Sequence, residues 1–531
     1  MDHRTNRPAW SRLSRWHQKP KLFYAPLALM CLFLLFYGWR SDTVSESIHD
    51  LSGFSPGHVQ SPDSKQAAGI GHVEAPLPDD VKVDTPSLKN PSLGDKTDDR
   101  LKTPVTHDAA EKPAKKPAGK PTDPAHKPGE LSPHDVAEAE YLSEKPNHRE
   151  IFSLTTRDRK YMGVYWNEEL GYNPNLIPHP TKSDQHIIVA QHLRPNATDV
   201  DSKQLVCSAS FIDGSMVCDK HPVDLDTDPA ILGNCTGEMA FGNSGTGPHD
   251  ARLFYGPNDP FLMYGSQSVH ACFGQWLHDA RMVLDAFAVE RPKVVLFKNA
   301  TEIMRPPPWR QLEKNFFVFW DGNGVPFVHH DIYPKRVFAQ LDPSGTIGED
   351  LAPQAASSDE RCMAAYMPHV RKAGGEVIHQ ATNSLTITLC KRADSSCVPT
   401  DDNTFIMHIF QHKAGYSFHV VYEPYVILFR RTAPFQVHAI SQRPIWIHGR
   451  GPFTTETNAN RYWGKPEAVP ENHTESFYVT SMSWKTPGQK YTGYLDDVMF
   501  LAFGVEDTTS GIIDVKAGDL VQDLAFCDSV L

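Results

Sequence analysis

The chain has 531 residues and a formal net charge of −12. This length normally corresponds to several domains, and the acidic balance argues against a general nucleic-acid-binding protein. The composition changes along the chain, however. Residues 22–39 carry no charge, residues 40–145 are rich in Pro and Lys, and residues 146–531 hold most of the aromatic residues and cysteines. Only the last segment, about 385 residues, has the composition of a packed domain.

The N-terminal segment has the features of a membrane anchor. Residues 22–39 read LFYAPLALMCLFLLFYGW, and as a helix they would span about 27 Å, close to the thickness of a thin bilayer. Six basic residues precede this run within residues 1–21, so the positive-inside rule predicts a cytoplasmic tail and a luminal remainder. A cleaved signal peptide is the alternative, but its apolar core would be shorter and small residues would follow it. A span this short favours the endoplasmic reticulum or the Golgi membrane.

Residues 40–145 are predicted to form an unfolded stem. No helical or strand period persists there, and the stretch EKPAKKPAGKPTDPAHKPGE at 111–130 alternates Lys and Pro. Proline removes backbone donors and fixes φ, so such a stretch is extended and semi-rigid. The segment also has too little apolar surface to offset the entropy of ordering it. We therefore expect a spacer between the anchor and a luminal domain at 146–531.

The cysteines agree with a luminal location. Eight of them follow the anchor, and an oxidising compartment would pair them. Two pairs are predicted from the local sequence: Cys207 with Cys218, across a hairpin that turns at an Asp-Gly pair, and Cys390 with Cys397, across a short polar loop. No pair has the C-x-x-C spacing of a zinc site, so we assign no metal.

Four Asn-x-Thr sequons lie beyond the anchor, where glycosylation would place them at the surface. The predicted glycosylation sites are Asn196, Asn234, Asn299 and Asn472.

The segment from residue 173 onward is predicted to be all-β. Runs of five to eight residues, rich in β-branched and aromatic side chains, alternate with Gly, Pro, Asn and Asp. FFVFW-DGNG-VPFVHH and LFYG-PND-PFLMYG are predicted hairpins. The best helical candidate is 271–288, which two strands would explain equally well. A single sandwich of this size would be oversized, whereas a β-propeller accommodates many short strands in four-stranded blades.

Four segments carry a resemblance to a known family: NPNLIPHPTKSDQHIIVAQH, HDARLFYGPNDPFLMYGS, EKNFFVFWDGNGVPFVHHDIYPKRV and ESFYVTSMSWKTPGQKYTGYLDDVMFLAFGVED. They resemble segments of five-bladed β-propellers, the β-mannoside phosphorylases and related β-1,2-mannosyltransferases. Fungal type II Golgi proteins of glycosyltransferase type share them. The second segment departs from the family strand Glu-Asp-Pro-Arg, because it keeps Asp250 and Arg252 but not the Glu or the Pro. The third has Phe316 where Trp is usual.

The resemblance implies that Asp250 is the proton-transfer group, and strand alternation would put Arg252 on the same face. Asp497 is a second candidate catalytic carboxylate, because one of two adjacent aspartates would face the propeller funnel. Arg, Lys and His would stabilise the charge of a departing phosphate. The candidate substrate-binding residues are Asn173, Arg252, Lys314, Asn315, His330 and Asp331.

Three functions remain open from the sequence. The first is a Golgi mannosyltransferase that uses a nucleotide sugar such as GDP-mannose and extends a glycan on a glycoprotein or glycolipid; no cofactor is firmly implied. The second is a glycoside hydrolase or phosphorylase on the same scaffold, and the third is a non-catalytic glycan-binding propeller. A competing enzyme class would hold a divalent ion with an Asp-x-Asp motif, which Asp224, Asp226 and Asp228 contain. That motif belongs at a strand end of an α/β domain.

Overall fold

A computed structural model describes residues 147–194, 202–227, 234–244, 247–290, 295–370, 376–416, 419–453 and 474–530. The predicted tail, anchor and stem lie outside these residues, as do the sequon residues Asn196 and Asn472. Within the described ranges, no helix combines the length and the apolar character needed to cross a membrane.

The described residues are mostly β-strand. In chain order the first strands are β1 (Arg149–Ile151), β2 (Met162–Tyr165), β3 (Gly171–Pro178), β4 (Gln185–His192), β5 (Gln204–Ile212), β6 (Ser215–Cys218), β7 (Val223–Asp224), β8 (His249–Tyr255), β9 (Pro260–Gln267), β10 (Phe273–Asp279), β11 (Thr301–Ile303), β12 (Phe317–Trp320) and β13 (Pro326–Asp331). The others are β14 (Val337–Gln340), β15 (Val377–Gln380), β16 (Leu385–Thr388), β17 (Thr404–Tyr416), β18 (His419–Arg430), β19 (Val437–Ser441), β20 (Ile445–Ile447), β21 (Phe477–Trp484), β22 (Thr492–Tyr494), β23 (Val498–Val505), β24 (Thr509–Lys516) and β25 (Leu524–Phe526). The α-helices are α1 (Ala356–Tyr366) and α2 (Ala517–Leu520), and short 3₁₀ segments cover Gly237–Ser244, Ala280–Met282, Asp285–Glu290, Ala352–Gln354 and Cys527–Ser529.

Most strand pairs are antiparallel, the parallel exceptions being β1 with β20, β2 with β6 and β16 with β22, and the predominance of strands agrees with the all-β prediction. Strands β8 to β11 make one four-stranded sheet in sequence order, and β12 to β14 make a three-stranded sheet. Strands β16 to β19 lie in a seven-stranded sheet, and β3 to β6 share a nine-stranded sheet with β21, β23 and β24. In that last sheet β2 pairs with β24 on one side and β6 on the other, so the first and last parts of the described chain are joined.

Both predicted hairpins are confirmed. β12 pairs antiparallel with β13, and β8 pairs with β9. The loop between β12 and β13 is the five residues Asp321–Val325, one more than the predicted four-residue DGNG loop. The hairpin of β5 and β6 turns at Asp213 and Gly214, which have φ of 49° and 86°. Positive φ at both central residues is the tight hairpin turn for which Asp-Gly is suited. The segment 271–288, for which helix and strand were both open, forms β10 followed by two 3₁₀ segments.

The described residues contain both predicted disulfides and two further ones. Cys207–Cys218 and Cys390–Cys397 are both formed, as predicted. Cys235–Cys272 and Cys362–Cys527 complete the set, and the second of these joins α1 to the C-terminal 3₁₀ segment. Sequence alone gave no way to choose these two longer pairs, because connectivity depends on which cysteines the fold brings together.

Candidate functional site

Four of the predicted site residues line one cavity. Asp250 and Arg252 on β8 meet Lys314 and Asn315, which directly precede β12. The rest of the lining comes from residues of the same four-stranded sheet: His249, Gly265, Phe273 and Gln275. The cavity is therefore built where two consecutive sheets begin.

Three non-glycine residues at this cavity share the same strained backbone conformation, with positive φ. Asn173, Asp250 and Asn315 have φ of 53°, 47° and 64°, the left-handed region that non-glycine residues rarely occupy. The strand pairing slips at the first two positions, between Tyr172 and Asn175 and between His249 and Arg252. Such residues cost about 1–3 kcal/mol each and cluster at functional sites. Two such residues line the cavity and the third, Asn173, hydrogen-bonds Asp250, which favours a binding or catalytic role for this site.

The slip on β8 corrects one step of the sequence argument. Simple alternation was expected to put Asp250 and Arg252 on one face. The irregular register between His249 and Arg252 breaks that alternation, yet both side chains line the cavity. A β-bulge redirects a side chain in this manner, and bulges are common next to active sites.

Short polar contacts hold the site residues. The Asn173 Nδ2 donates to Asp250 Oδ1 at 3.1 Å, and Arg252 Nη2 donates to Asn315 Oδ1 at 3.0 Å. The Tyr478 hydroxyl also donates to Asn315 Oδ1, at 3.4 Å. Arg252 is only 3% exposed, and its Nη1 has no hydrogen-bond partner among the described residues. A buried guanidinium donor left open beside a cavity suits an anionic or hydroxyl-rich ligand.

Three residues of the site were missed by sequence reasoning. Asp507, in the turn between β23 and β24, interacts electrostatically with Asp250 and with Lys413. Lys413 on β17 also interacts with Lys314, and Tyr478 lies on β21. Asp507 is the last residue of the fourth segment that carries the family resemblance, and that position was the available signal for it.

The protein environment shifts the pKa values of three of these groups toward neutrality. Desolvation is the largest cause for the two lysines, lowering the pKa of Lys413 to about 7 and that of Lys314 to about 8. Asp507 is an exposed residue, and desolvation by the surrounding chain together with the nearby Asp250 charge raises the pKa of its carboxyl to about 6. Lys314 lines the cavity, and Lys413 and Asp507 interact electrostatically with Lys314 and Asp250, respectively. Neighbouring groups that titrate near neutral pH are suited to proton transfer.

The structure does not bring Asp497 to this cavity. Asp497 directly precedes β23, whereas Asp507 follows that strand, so an eight-residue strand of about 26 Å separates the two ends. Its carboxylate is held by Arg392, with Nη2–Oδ2 and Nε–Oδ1 distances of 2.5 and 2.8 Å. The structure therefore separates Asp497 from the cavity that holds Asp250, because adjacency to another aspartate in the sequence does not fix which end of the strand lies at the site.

His330 and Asp331 belong to a supporting network instead of the cavity lining. His330 is 2% exposed, its Nε2 lies 2.7 Å from the carbonyl oxygen of Met304, and burial lowers its pKa to about 3. Asp331 accepts from Arg305 Nη2 at 2.6 Å and from Arg310. Arg305 also pairs with Glu313, the residue before Lys314. The network therefore braces the loop that carries Lys314 and Asn315.

The Asp-x-Asp alternative finds no matching context among the described residues. Asp224 lies in a two-residue strand and pairs with Lys203 at 2.6 Å, Asp226 is exposed, and Asp228 lies outside the described residues. The described ranges hold no alternating strand–helix sheet of the type that presents such a motif. Nor do they hold a group of three or more His, Cys, Asp or Glu side chains arranged for a metal ion.

Comparison with known proteins gives only distant likenesses. No family model matches the chain, and no curated protein matches it in sequence. A β-1,2-mannobiose phosphorylase from Listeria innocua, solved with β-1,2-mannobiose, is 11% identical with a TM-score of 0.36, over 70% of this chain and 96% of that one. A GDP-Man-dependent mannosyltransferase from Leishmania mexicana is 10% identical, with a TM-score of 0.34 over 72% and 94%.

A GH43 endo-arabinanase from Bacillus licheniformis is 10% identical, with a TM-score of 0.32 over 66% of this chain and 96% of that chain. The function proposed below therefore rests on the residues of the cavity and not on these likenesses.

Proposed function

We propose that this protein is a glycan-active enzyme, and specifically a mannosyltransferase that uses a nucleotide sugar such as GDP-mannose. The observation that carries the proposal is the convergence of Asp250, Arg252, Lys314 and Asn315 on one cavity. A carboxylate beside buried cations is what transfer of a glycosyl group from a phosphate requires.

The proposed scaffold is a five-bladed propeller whose innermost strands carry the site. The support is that site residues come from sheets spread along the chain: Asn173 on β3, Asp250 on β8, Asn315 before β12, Lys413 on β17 and Tyr478 on β21. A crystal structure with a bound sugar nucleotide would test this arrangement, and a ligand held away from Asp250 would contradict it.

The residues divide the chemistry as follows. The acceptor hydroxyl attacks the anomeric carbon of the donor and loses its proton to Asp250, while the bond from that carbon to the diphosphate oxygen breaks. Arg252 and Lys314 meet the negative charge that develops on the departing diphosphate. Asn173 holds Asp250 through the 3.1 Å hydrogen bond from Nδ2 to Oδ1 and so orients the carboxylate.

We further propose a type II topology in the Golgi or endoplasmic reticulum membrane, with residues 22–39 as the anchor and the described domain in the lumen. Four disulfides support an oxidising compartment. The acceptor would then be a glycan on a glycoprotein or glycolipid.

The activity is tested with purified protein, GDP-mannose and a mannoside acceptor, and with mass spectrometry of the product. Asp250→Asn is expected to lower the rate of transfer about 100-fold or more, because the amide does not accept the proton. Asp497→Asn is the matched control, since Asp497 lies at the other end of β23, and it should keep the wild-type rate.

Three other outcomes would change the proposal. Equal rates for wild type and Asp250→Asn would reject Asp250 as the proton acceptor. Release of free mannose, or of mannose 1-phosphate from a mannoside in phosphate buffer, would identify a hydrolase or a phosphorylase. Binding of glycan without any turnover would identify a non-catalytic propeller.

A further inference from the structure

The glycosylation sequon at Asn234 shares a residue with a disulfide. It reads Asn234-Cys235-Thr236, and Cys235 pairs with Cys272, 37 residues further along the chain. Cys235 and Cys272 are both buried, and they form a small apolar cluster with Met239. Closing this disulfide therefore draws the middle of the sequon into the packed domain.

The side-chain amide of Asn234 is hydrogen-bonded to the backbone of a second segment. Its Nδ2 donates to the carbonyl oxygens of Ser268 and Val269, each at 2.9 Å. The amide nitrogen has two protons, so both are engaged in these hydrogen bonds. These acceptors lie three and four residues before Cys272, so the disulfide and the two hydrogen bonds hold the same pair of segments together.

The backbone of the sequon is fixed as well. The N–H of Cys235 donates to Asn243 Oδ1 at 2.8 Å, and the Cys235 carbonyl oxygen accepts from Asn243 Nδ2 at 2.7 Å. A sequon held in this way is not available in the extended, open form that another enzyme could bind along its backbone.

N-glycosylation would modify the same Asn234 side-chain nitrogen that donates these two hydrogen bonds. The Asn amide nitrogen forms a bond to the anomeric carbon of a lipid-diphosphate-linked glycan, and the bond from that carbon to the diphosphate oxygen breaks. The diphosphate leaves with its electron pair, and one amide proton passes to a base of the transferase. Asn234 is exposed, but in the closed structure its two amide protons are hydrogen-bonded to the carbonyl oxygens of residues 268 and 269, so one of these hydrogen bonds must break before the glycan is attached.

We propose that closure of the Cys235–Cys272 disulfide excludes glycosylation of Asn234, and that Asn234 serves the mature protein as a structural amide. Disulfide formation and glycan transfer compete for the same segment during folding, and the order of the two events sets the occupancy of this sequon. The inference is independent of the proposed enzymatic activity and requires only that the chain pass through a secretory compartment.

Asn299 provides an internal comparison within the same chain. It is exposed, and its side-chain amide makes no hydrogen bond to any described residue. Its sequon contains no cysteine and needs no opening of the fold. Occupancy at Asn299 therefore reports whether the chain met the glycosylation machinery at all.

The test is glycopeptide mass spectrometry of the full chain made in a eukaryotic secretory host. Wild type should be modified at Asn299 and mostly unmodified at Asn234. Cys272→Ser keeps the sequon intact but removes the disulfide, and it should raise occupancy at Asn234 at least fivefold. Cys397→Ser removes a different disulfide and is the matched control, which should leave Asn234 as in wild type.

A second measurement distinguishes the structural role of the Asn234 amide from the effect of removing the sequon. Asn234→Ala removes both hydrogen bonds and should lower the melting temperature by about 2 °C, whereas Thr236→Ala abolishes the sequon and should not change it. Full occupancy of Asn234 in wild type, or equal occupancy in wild type and Cys272→Ser, would overturn the inference. Equal melting temperatures for Asn234→Ala and Thr236→Ala would overturn the structural role.

Discussion

At the scale of single residues, the cavity and its surroundings hold lysines whose charge is disfavoured by burial. Lys413 is 5% exposed, and desolvation is the largest cause of its lowered pKa, with the charge of Lys314 adding to it. Burying the charge of a lysine costs free energy. Lys413 interacts electrostatically with Asp507 and with Lys314, which lines the cavity, so its position favours a role in holding a negatively charged ligand.

Replacement of Lys413 by Met should stabilise the protein. At pH 6 both the folded and the unfolded chain carry the charge, and the folded state bears the full cost, so Lys413→Met is expected to raise the free energy of unfolding by on the order of 2 kcal/mol. As the pH rises through the folded pKa of about 7 toward the ordinary value of 10.5, the gain should shrink, because the folded lysine is already neutral.

Urea unfolding of both proteins between pH 6 and pH 10 measures this gain. Binding of inorganic phosphate, measured in parallel, should weaken in the same variant. A variant that is less stable than wild type at pH 6 would show that the charge of Lys413 is compensated within the fold.

At the scale of secondary-structure elements, the hairpins were predictable and their irregularities were not. Local residues determine a turn such as Asp213-Gly214, since two residues with positive φ are required there. The bulge on β8 depends instead on what pairs with it from β9. The helix α1 is likewise held by contacts with distant residues. Asp359 accepts from Arg336 Nη1 at 2.5 Å and from the N–H of Val437 at 2.9 Å.

The Asp359→Asn substitution should weaken the packing of α1 and lower the free energy of unfolding. Arg336 is 3% exposed, so removal of its carboxylate partner leaves a buried charge, which costs about 3–5 kcal/mol. Asp401→Asn is the matched control, because the Asp401–Arg431 pair is at the surface and should be worth less than about 1 kcal/mol. Thermal unfolding of both variants measures the difference, and similar losses in the two would contradict the buried role of Asp359.

At the scale of the whole molecule, the chain is predicted to divide into a short tail, an anchor, a stem and one large β domain. The described residues account for the last of these, and their first strands pair with their last ones. Pairing of an early strand with a late strand in one sheet is the arrangement expected if these about 385 residues fold as one domain, and we propose that they do.

Protease protection of membrane vesicles tests the proposed topology. Added protease should remove an N-terminal tag from the tail at 1–21 while leaving the domain at 146–531 intact until detergent is added. Replacement of the six basic tail residues by Gln is the control, and it should reduce the fraction of protected domains. Digestion of the domain without detergent would contradict a luminal location.

The sequence by itself determined the properties that depend on neighbours along the chain. The β character follows from short runs of β-branched and aromatic residues, and the Cys207–Cys218 and Cys390–Cys397 pairs follow from cysteines a few residues apart. The resemblance of short motifs, together with strand patterning, was sufficient to select Asp250, Arg252, Lys314 and Asn315.

Only the tertiary structure decided which distant groups join them. Lys413 lies on β17 and Asp507 in the turn after β23, and nothing in the sequence links either residue to Asp250. Asp497 was selected as a site residue, but it lies at the other end of β23 from Asp507. The pKa shifts arise from the same cause, because desolvation and neighbouring charges exist only once the sheets have brought these side chains together.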